Sequence, residues 1–276
     1  MKIKTTKTQL AKDLGVSRSS LYYKPKREEI DNEVKMQIET VISEHPAYGH
    51  KRIAIELKLN KKRIRRVMKK FGIKPPRRRT RALKKPEDRN KSPTKYKNLV
   101  RCCPLFPNVI WASDFTYIKY KGKFIYVATI LDIYTREILG WNISRFHNKL
   151  LVLGALQDAL KRTGTKPIYL HSDQGSEYDS EDYLYYAEKI GIKISMSRKG
   201  SPWENGFQES FYRGFKVDLG DQNRFETLAE LIEEIHQTIW YYNNNRIHTA
   251  LKMSPIQFKE KLAVKHIEDL SKERGT

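Results

Sequence analysis

The sequence predicts an α/β domain with a mixed sheet and flanking helices, preceded by an all-α region that carries helix-turn-helix segments. Three observations carry this reading. From Asn108 onward, short β-branched and aromatic runs alternate with longer apolar-periodic ones. Residues 1 to 75 show only helical patterns. Between the two lies a stretch rich in cations and proline, which is linker composition.

The elements are taken in chain order. Gln9 to Tyr23 reads as helix, glycine turn and helix: Leu10 and Leu14 share a face, Gly15 breaks the helix, and Ser17 is placed to cap the next one. Arg18, Ser19, Ser20 and Tyr22 would then lie on an exposed recognition helix. His45 to Phe71 is a second candidate of the same kind. There Asn60 caps a helix whose Ile64, Val67, Met68 and Phe71 recur at i, i+3, i+4 and i+7. Arg63, Arg65, Arg66, Lys69 and Lys70 crowd the rest of that helix, and no acid occurs from Lys61 through Lys85. A merely solvated face would interleave acids, so these cations are candidates for DNA contact.

Beyond the linker, strands are expected over residues 109–120, 124–132 and 138–144, with Lys121-Gly122-Lys123 turning the first into the second. Next come a helix over 150–160, a strand over 168–171, a helix over 181–190 and a strand over 192–196. A long helix then begins near Trp203. Three meandering strands succeeded by β/α alternation imply a mixed sheet with helices on its faces. The expected division is residues 1–75 for DNA binding, 76–107 as basic linker, 108–225 as catalytic core and 226–276 as a C-terminal helical extension.

The chain has 276 residues and a formal net charge of +22. Such an excess repels itself unless a polyanion neutralises it, and nucleic acid is the obvious one. No stretch approaches the roughly 18 apolar residues of a membrane span, and the first ten residues lack an apolar signal segment, so a cytoplasmic location is expected. Cys102 and Cys103 are the only cysteines and are adjacent. Neither a disulfide framework nor a cysteine zinc site is expected.

Three acids stand out by context. Asp114 interrupts an apolar strand, where a carboxylate is costly unless paired, hydrogen-bonded or bound to metal. Asp173 comes just after the strand ending at His171, at the carboxyl end where open α/β sheets place ligands. Glu209 sits on the long helix, after the loop-forming Ser197-Arg-Lys-Gly-Ser-Pro. A lone acid is ordinarily a solvated charge, a cap or half of a salt bridge. Here, however, the domain must approach phosphate, and acids repel phosphate unless divalent cations lie between them. Mg²⁺ takes hard oxygen ligands, and two such ions about 4 Å apart activate an attacking oxygen and stabilise a leaving one.

The triplet resembles the DDE motif of transposases and retroviral integrases, with thirty-five residues between Asp173 and Glu209. More specifically, the chain resembles the B-frame transposase of a bacterial insertion-sequence family with two overlapping reading frames. The matching pieces are WASDFTYI at 111–118, HSDQGSEY at 171–178, SMSRKGSPWENGFQESF at 195–211 and YNNNRIHTALKMSP at 242–255, together with HPAYGHKRI at 45–53. The family's usual Asp-Asn pair ahead of the catalytic glutamate is replaced here by Glu204-Asn205.

The resemblance implies an RNase H-like core. Asp114, Asp173 and Glu209 would be both the catalytic residues and the ligands of Mg²⁺ or Mn²⁺, with two ions expected. It implies that Lys216, two helical turns beyond Glu209, contacts the element's terminal DNA. The partners implied are double-stranded terminal inverted repeats and target DNA, a homo-oligomer on DNA, an upstream-frame product fused to or assisting the chain, and association with the bacterial nucleoid. His171 is read as supporting the site rather than ligating metal. Two other readings stay open: a DNA-binding repressor on an inactive catalytic domain, and a nuclease that cuts RNA–DNA hybrids.

Overall fold

The computed structural model describes residues 6–22, 27–76, 96–100, 104–198 and 201–274, with backbone alone at 202–203 and 266–274. Most of the expected linker, along with Cys102 and Cys103, lies outside these residues.

The N-terminal region is helical throughout: α1 (Lys7–Asp13), α2 (Arg27–Glu44), α3 (His50–Glu56) and α4 (Lys61–Lys70). The first helix-turn-helix expectation is met only in part. Ser17 Oγ does accept from the Ser20 amide at 3.3 Å, but the next element is a five-residue 3₁₀ helix, Arg18–Tyr22, rather than a recognition α-helix. Leu10 and Leu14 stay exposed instead of forming a packed face. The second expectation holds more fully. Asn60 caps α4 by accepting from the Lys62 amide at 2.8 Å, and Ile64, Val67 and Met68 are buried. They pack against Val34, Ile38 and Val41 of α2 and Ile53 and Ala54 of α3. The length and partnership of α2 were not foreseen.

The second region is built on β1 (Ile110–Tyr120), β2 (Lys123–Asp132), β3 (Ile138–Ser144), α5 (Lys149–Thr163), β4 (Tyr169–Ser172), α6 (Glu181–Lys189), β5 (Lys193–Met196) and α7 (Gly206–Asp218). The order matches the expected one element for element. The C-terminal part adds α8 (Leu228–Asn244) and α9 (Pro255–Arg274). The sheet runs β3-β2-β1-β4-β5; its first three strands are antiparallel, while β4 and β5 run parallel to β1. Lys121 and Gly122 both take positive φ, as the two-residue hairpin between β1 and β2 requires.

Both sheet faces are covered, which is why β2 reads as a nearly continuous apolar run. Ile110, Ala112, Val127 and Leu131 face α7 and α8, whereas Trp111, Ala128, Ile130 and Leu170 face α5 and α6. Leu231, Ile235, Ile239 and Tyr242 of α8 share one apolar core with Phe211 and Phe215 of α7. A boundary at residue 225 therefore cuts through a single core. The N-terminal unit is fastened to the chain just past α8: Tyr48 Oη accepts from the Ile247 amide at 2.6 Å, and Arg52 Nε donates to the Ile247 carbonyl at 2.7 Å. Among the described residues no helix is long and apolar enough to cross a membrane.

Candidate active site

The site forms where two parallel strands part company. β1 pairs with β4 only from Ile110 to Ala112; β4 then ends at Ser172 while β1 runs on to Tyr120. Asp114 and Asp173 are each the second residue beyond the last paired position on their strands, Ala112 and His171, so the topology brings their carboxylates together. Burial pushes the Asp114 carboxyl from its ordinary 3.8 up to about 7, and the neighbouring Asp173 and Glu209 push the same way. The Phe115 amide, which donates to Asp114 Oδ1 at 2.9 Å, and Lys216 oppose the shift. The Asp173 carboxyl is also raised, by burial first and by Glu177.

The loop after β4 is shaped around Asp173. Its Oδ1 accepts from the Gly175 amide at 3.0 Å. A Cβ at position 175 would meet Asp173 Oδ1 and Glu177 Oε2, each at 3.1 Å, so a larger residue would crowd both carboxylates. Glu177 is itself buried and bonds His147 Nδ1 at 2.8 Å. Burial holds the His171 imidazole down near 4, hence neutral, and its Nδ1 meets Ser195 Oγ at 3.0 Å. His171 thus serves packing between β4 and β5.

Glu209 is carried by α7, and α7 is latched to the sheet by polar side chains that sequence reasoning missed. The Gln208 amide nitrogen donates to the Ala112 and Thr129 carbonyls at 2.7 and 3.1 Å, and Thr129 Oγ1 donates back to Gln208 Oε1 at 3.1 Å. Tyr212 Oη donates to the carbonyl of Asp114 itself at 2.7 Å. The only signal in the sequence was a glutamine and a tyrosine four apart on an otherwise apolar helix face. Glu209 is about 40% exposed and pairs with Arg213, one turn on, at 2.8 Å. Lys216 lies over the Tyr117 ring at 4.9 Å and within electrostatic reach of Asp114.

Glu204 stands apart. It accepts from the Arg198 amide at 2.7 Å, from Arg198 Nε at 2.8 Å and from Asn98 Nδ2 at 3.0 Å. It ties the loop after β5 to the segment that enters the sheet. Among the described residues no three His, Cys, Asp or Glu side chains are grouped closely enough to hold a metal ion, with Glu209 turned to Arg213. The donor set nonetheless fits a hard divalent cation: all oxygen, open to solvent at Asp173 and Glu209, and mutually repulsive in the ionised state.

The cations expected at DNA divide into two groups. Arg63, Arg65 and Lys69 are exposed on α4. Arg66 instead grips the buried Asp31 with both terminal nitrogens, at 2.7 and 2.5 Å, and Lys70 joins at 3.2 Å. Arg18 is exposed at the start of the 3₁₀ helix.

Two family models described as "Integrase core domain" match the chain, over residues 105–202 and 190–255. The transposase for insertion sequence element IS904 of Lactococcus lactis is 33% identical over 87% of this chain and 99% of its own length. The insertion element IS600 31 kDa protein of Shigella sonnei is 33% identical over 90% of this chain and 96% of its own. Among solved structures, the simian T-cell lymphotropic virus intasome in complex with a PP2A regulatory subunit shares the fold, with a TM-score of 0.51 and 15% identity over 77% of this chain and 73% of that one. The HTLV-2 integrase catalytic core domain in complex with magnesium aligns over 56% of this chain and 97% of that one, at 20% identity and a TM-score of 0.47.

Proposed function

Because this chain belongs to the integrase-core transposases of bacterial insertion sequences, which cleave DNA at the ends of the element and transfer the freed strands, we propose that Asp114, Asp173 and Glu209 do that chemistry. The observation that carries the proposal is the meeting of Asp114 and Asp173 where β4 stops and β1 continues. Two neighbouring carboxylates resist ionising together without a counter-charge, and a divalent cation would supply one.

Two Mg²⁺ or Mn²⁺ ions held by these carboxylates would supply Lewis acidity at the attacking and leaving oxygens of an in-line displacement. The protein's own contribution is placement. Tyr212 and the Phe115 amide fix Asp114 from both sides. The Gly175 amide fixes Asp173. Glu209 completes the set by releasing Arg213; an exposed i,i+4 pair of this kind contributes only about 0.3–0.5 kcal/mol, so the exchange is inexpensive. Lys216 faces the same cleft and would hold a phosphate of the terminal DNA. No covalent protein–DNA intermediate is called for, since water and then the freed 3′-OH act as nucleophiles.

The rest of the chain fits round this chemistry. Residues 1–75 would grip DNA through Arg18 and the exposed α4 cations, 76–107 would link, and 108–225 with the 226–276 extension would form the catalytic body. The DNA would be terminal inverted repeats and target duplex, engaged by a homo-oligomer in the cytoplasm at the nucleoid, with an upstream-frame product fused or assisting.

The decisive test is Glu209→Gln in the full chain. Loss of a ligand should cost roughly a thousandfold or more in cleavage and joining, about 4 kcal/mol, with end binding retained. Near-normal strand transfer by this variant would remove Glu209 from the site.

A further inference from the structure

A cationic cavity lies at the start of the helix that carries Glu209. A cavity of about 480 Å³ opens at the start of α7, lined by Arg52 of α3, Arg136 of the β2–β3 turn, Arg246 beyond α8, and Phe207 and Ser210 of α7. Three guanidiniums from three remote parts of the chain converge there. Arg246 is almost fully buried and gives Nε to Asp218 at 2.7 Å, also buried. Arg52 gives Nε to the Ile247 carbonyl. Arg136 stacks on the Phe207 ring, 3.9 Å from its centroid.

The lining is rich in positive charge. The one carboxylate among the described lining residues, Glu204, is engaged by Arg198 and Asn98. His248, which also lines it, adds no negative charge; burial first, and then all three arginines, hold its imidazole down near 4. Burial and Arg246 also lower Arg52, to about 10. Asp218 offsets Arg246 and, more weakly, Arg52, yet the arginines outnumber the acids that face them, which suits a further anion. The aromatic floor and the fork geometry of guanidinium favour phosphate over a small halide.

We infer that this cavity receives one backbone phosphate of the DNA strand whose neighbouring phosphodiester is cut. The inference rests on the transposase reading above. It comes from position: the lining residues Phe207 and Ser210 flank Glu209 in the first turn of α7, with Ser210 about 100° round the helix and Phe207 nearly on the opposite face. A strand that wraps the first turn of α7 would reach the cavity from the Glu209 side by way of Ser210. Arg52 belongs to the N-terminal unit, so the phosphate is held jointly by that unit and the catalytic body. Occupancy of the cavity therefore registers that the end is gripped before it is cut.

Arg246 is unsuitable for a test, because its removal strands the buried Asp218. Arg136→Gln and Ala250→Glu are suitable; Ala250 is exposed at the rim and would bring a carboxylate to the arginines. The probe is a duplex ending in the element's terminal repeat, with affinity measured by fluorescence anisotropy over a range of salt. Arg136→Gln should reduce the slope of log affinity against log salt by about one. Ala250→Glu should weaken binding by about tenfold or more at fixed salt. An unchanged slope in Arg136→Gln, with an unchanged thermal midpoint, overturns the inference. Inorganic phosphate at matched ionic strength supplies a second arm. If it stabilises the wild type, but not Arg136→Gln, while the DNA slopes agree, the cavity takes a free small anion and the DNA assignment is wrong. Cleavage by the wild type in the same preparation shows that the transposase reading stands whichever result is obtained; a wild type that neither binds nor cuts overturns both.

Discussion

Two buried aspartates, one in each half of the molecule, are driven in opposite directions. Asp31 in the N-terminal unit is sealed between α2 and α4, and the Arg66 guanidinium with Lys70 holds its carboxyl well below the usual range. Asp114 in the sheet meets another carboxylate, and its carboxyl rises to about 7. The fold completes the first charge internally and leaves the second incomplete. A carboxylate matched by its own chain holds a structure together; one faced by its own kind is left without that internal counter-charge.

The largest effect expected from breaking this contrast is on chemistry. Asp114→Asn should abolish strand cleavage, by roughly a thousandfold or more, while keeping the fold. Asp31→Asn should leave cleavage chemistry intact and lower the thermal midpoint, because it leaves Arg66 and Lys70 without their buried partner. Measuring both activity and melting for both variants tests the contrast; a thermal loss in Asp114→Asn as large as that in Asp31→Asn would erase it.

The pH dependence sharpens it. Asp31 has a depressed carboxyl, so its stabilising contribution is present above the ordinary carboxylate range and is lost as pH falls through the folded value. Asp114 binds its proton more tightly in the folded state between 3.8 and about 7, so it makes folded stability fall as pH rises across that window. In the presence of chelator, the midpoint of the wild type relative to Asp114→Asn should decline over that range. Added Mg²⁺ should restore the wild type and leave the variant unmoved. Parallel melting curves would show that Asp114 is matched after all.

Smaller effects come from the α4 cations. Replacing the exposed Arg63, Arg65 and Lys69 by glutamine should lower the salt slope of DNA binding by up to about 3, whereas replacing Arg66 should act through stability. Gel shifts and melting on the same variants separate the two groups. The smallest effect belongs to Glu204→Gln. It loosens the Arg198 loop and should cost less than about tenfold in strand transfer; a loss equal to that of Glu209→Gln would move the catalytic glutamate five residues upstream.

These contrasts show what a sequence discloses. The order of strands and helices from β1 to α7 was legible, because β-branched and aromatic runs turned at Gly122, and a helical run ended at Gly191, are local signals. The candidate acids were legible because a charge inside an apolar strand, or just past one, is locally anomalous. Asp31 looked like any solvated acid, since its partners lie 35 and 39 residues away. For the same reason Arg66 and Lys70 were indistinguishable from their neighbours on α4. The Gln208 and Tyr212 latches escaped notice because the carbonyls they satisfy belong to strands about 80 to 100 residues distant. The arginine cavity draws on three remote segments and leaves no local trace.

Beyond Asp114 the β1–β2 hairpin continues past the end of β4 to Tyr120, with Lys119 and Lys123 exposed near its tip. An antiparallel strand advances about 3.4 Å per residue, and a DNA strand advances about 3.4 Å per nucleotide. The arm from Asp114 to its tip is therefore about 20 Å long, or about six base steps. A residue inserted into or deleted from one strand of the hairpin would break its register and turn the outer lysine on that strand to the other face of the sheet.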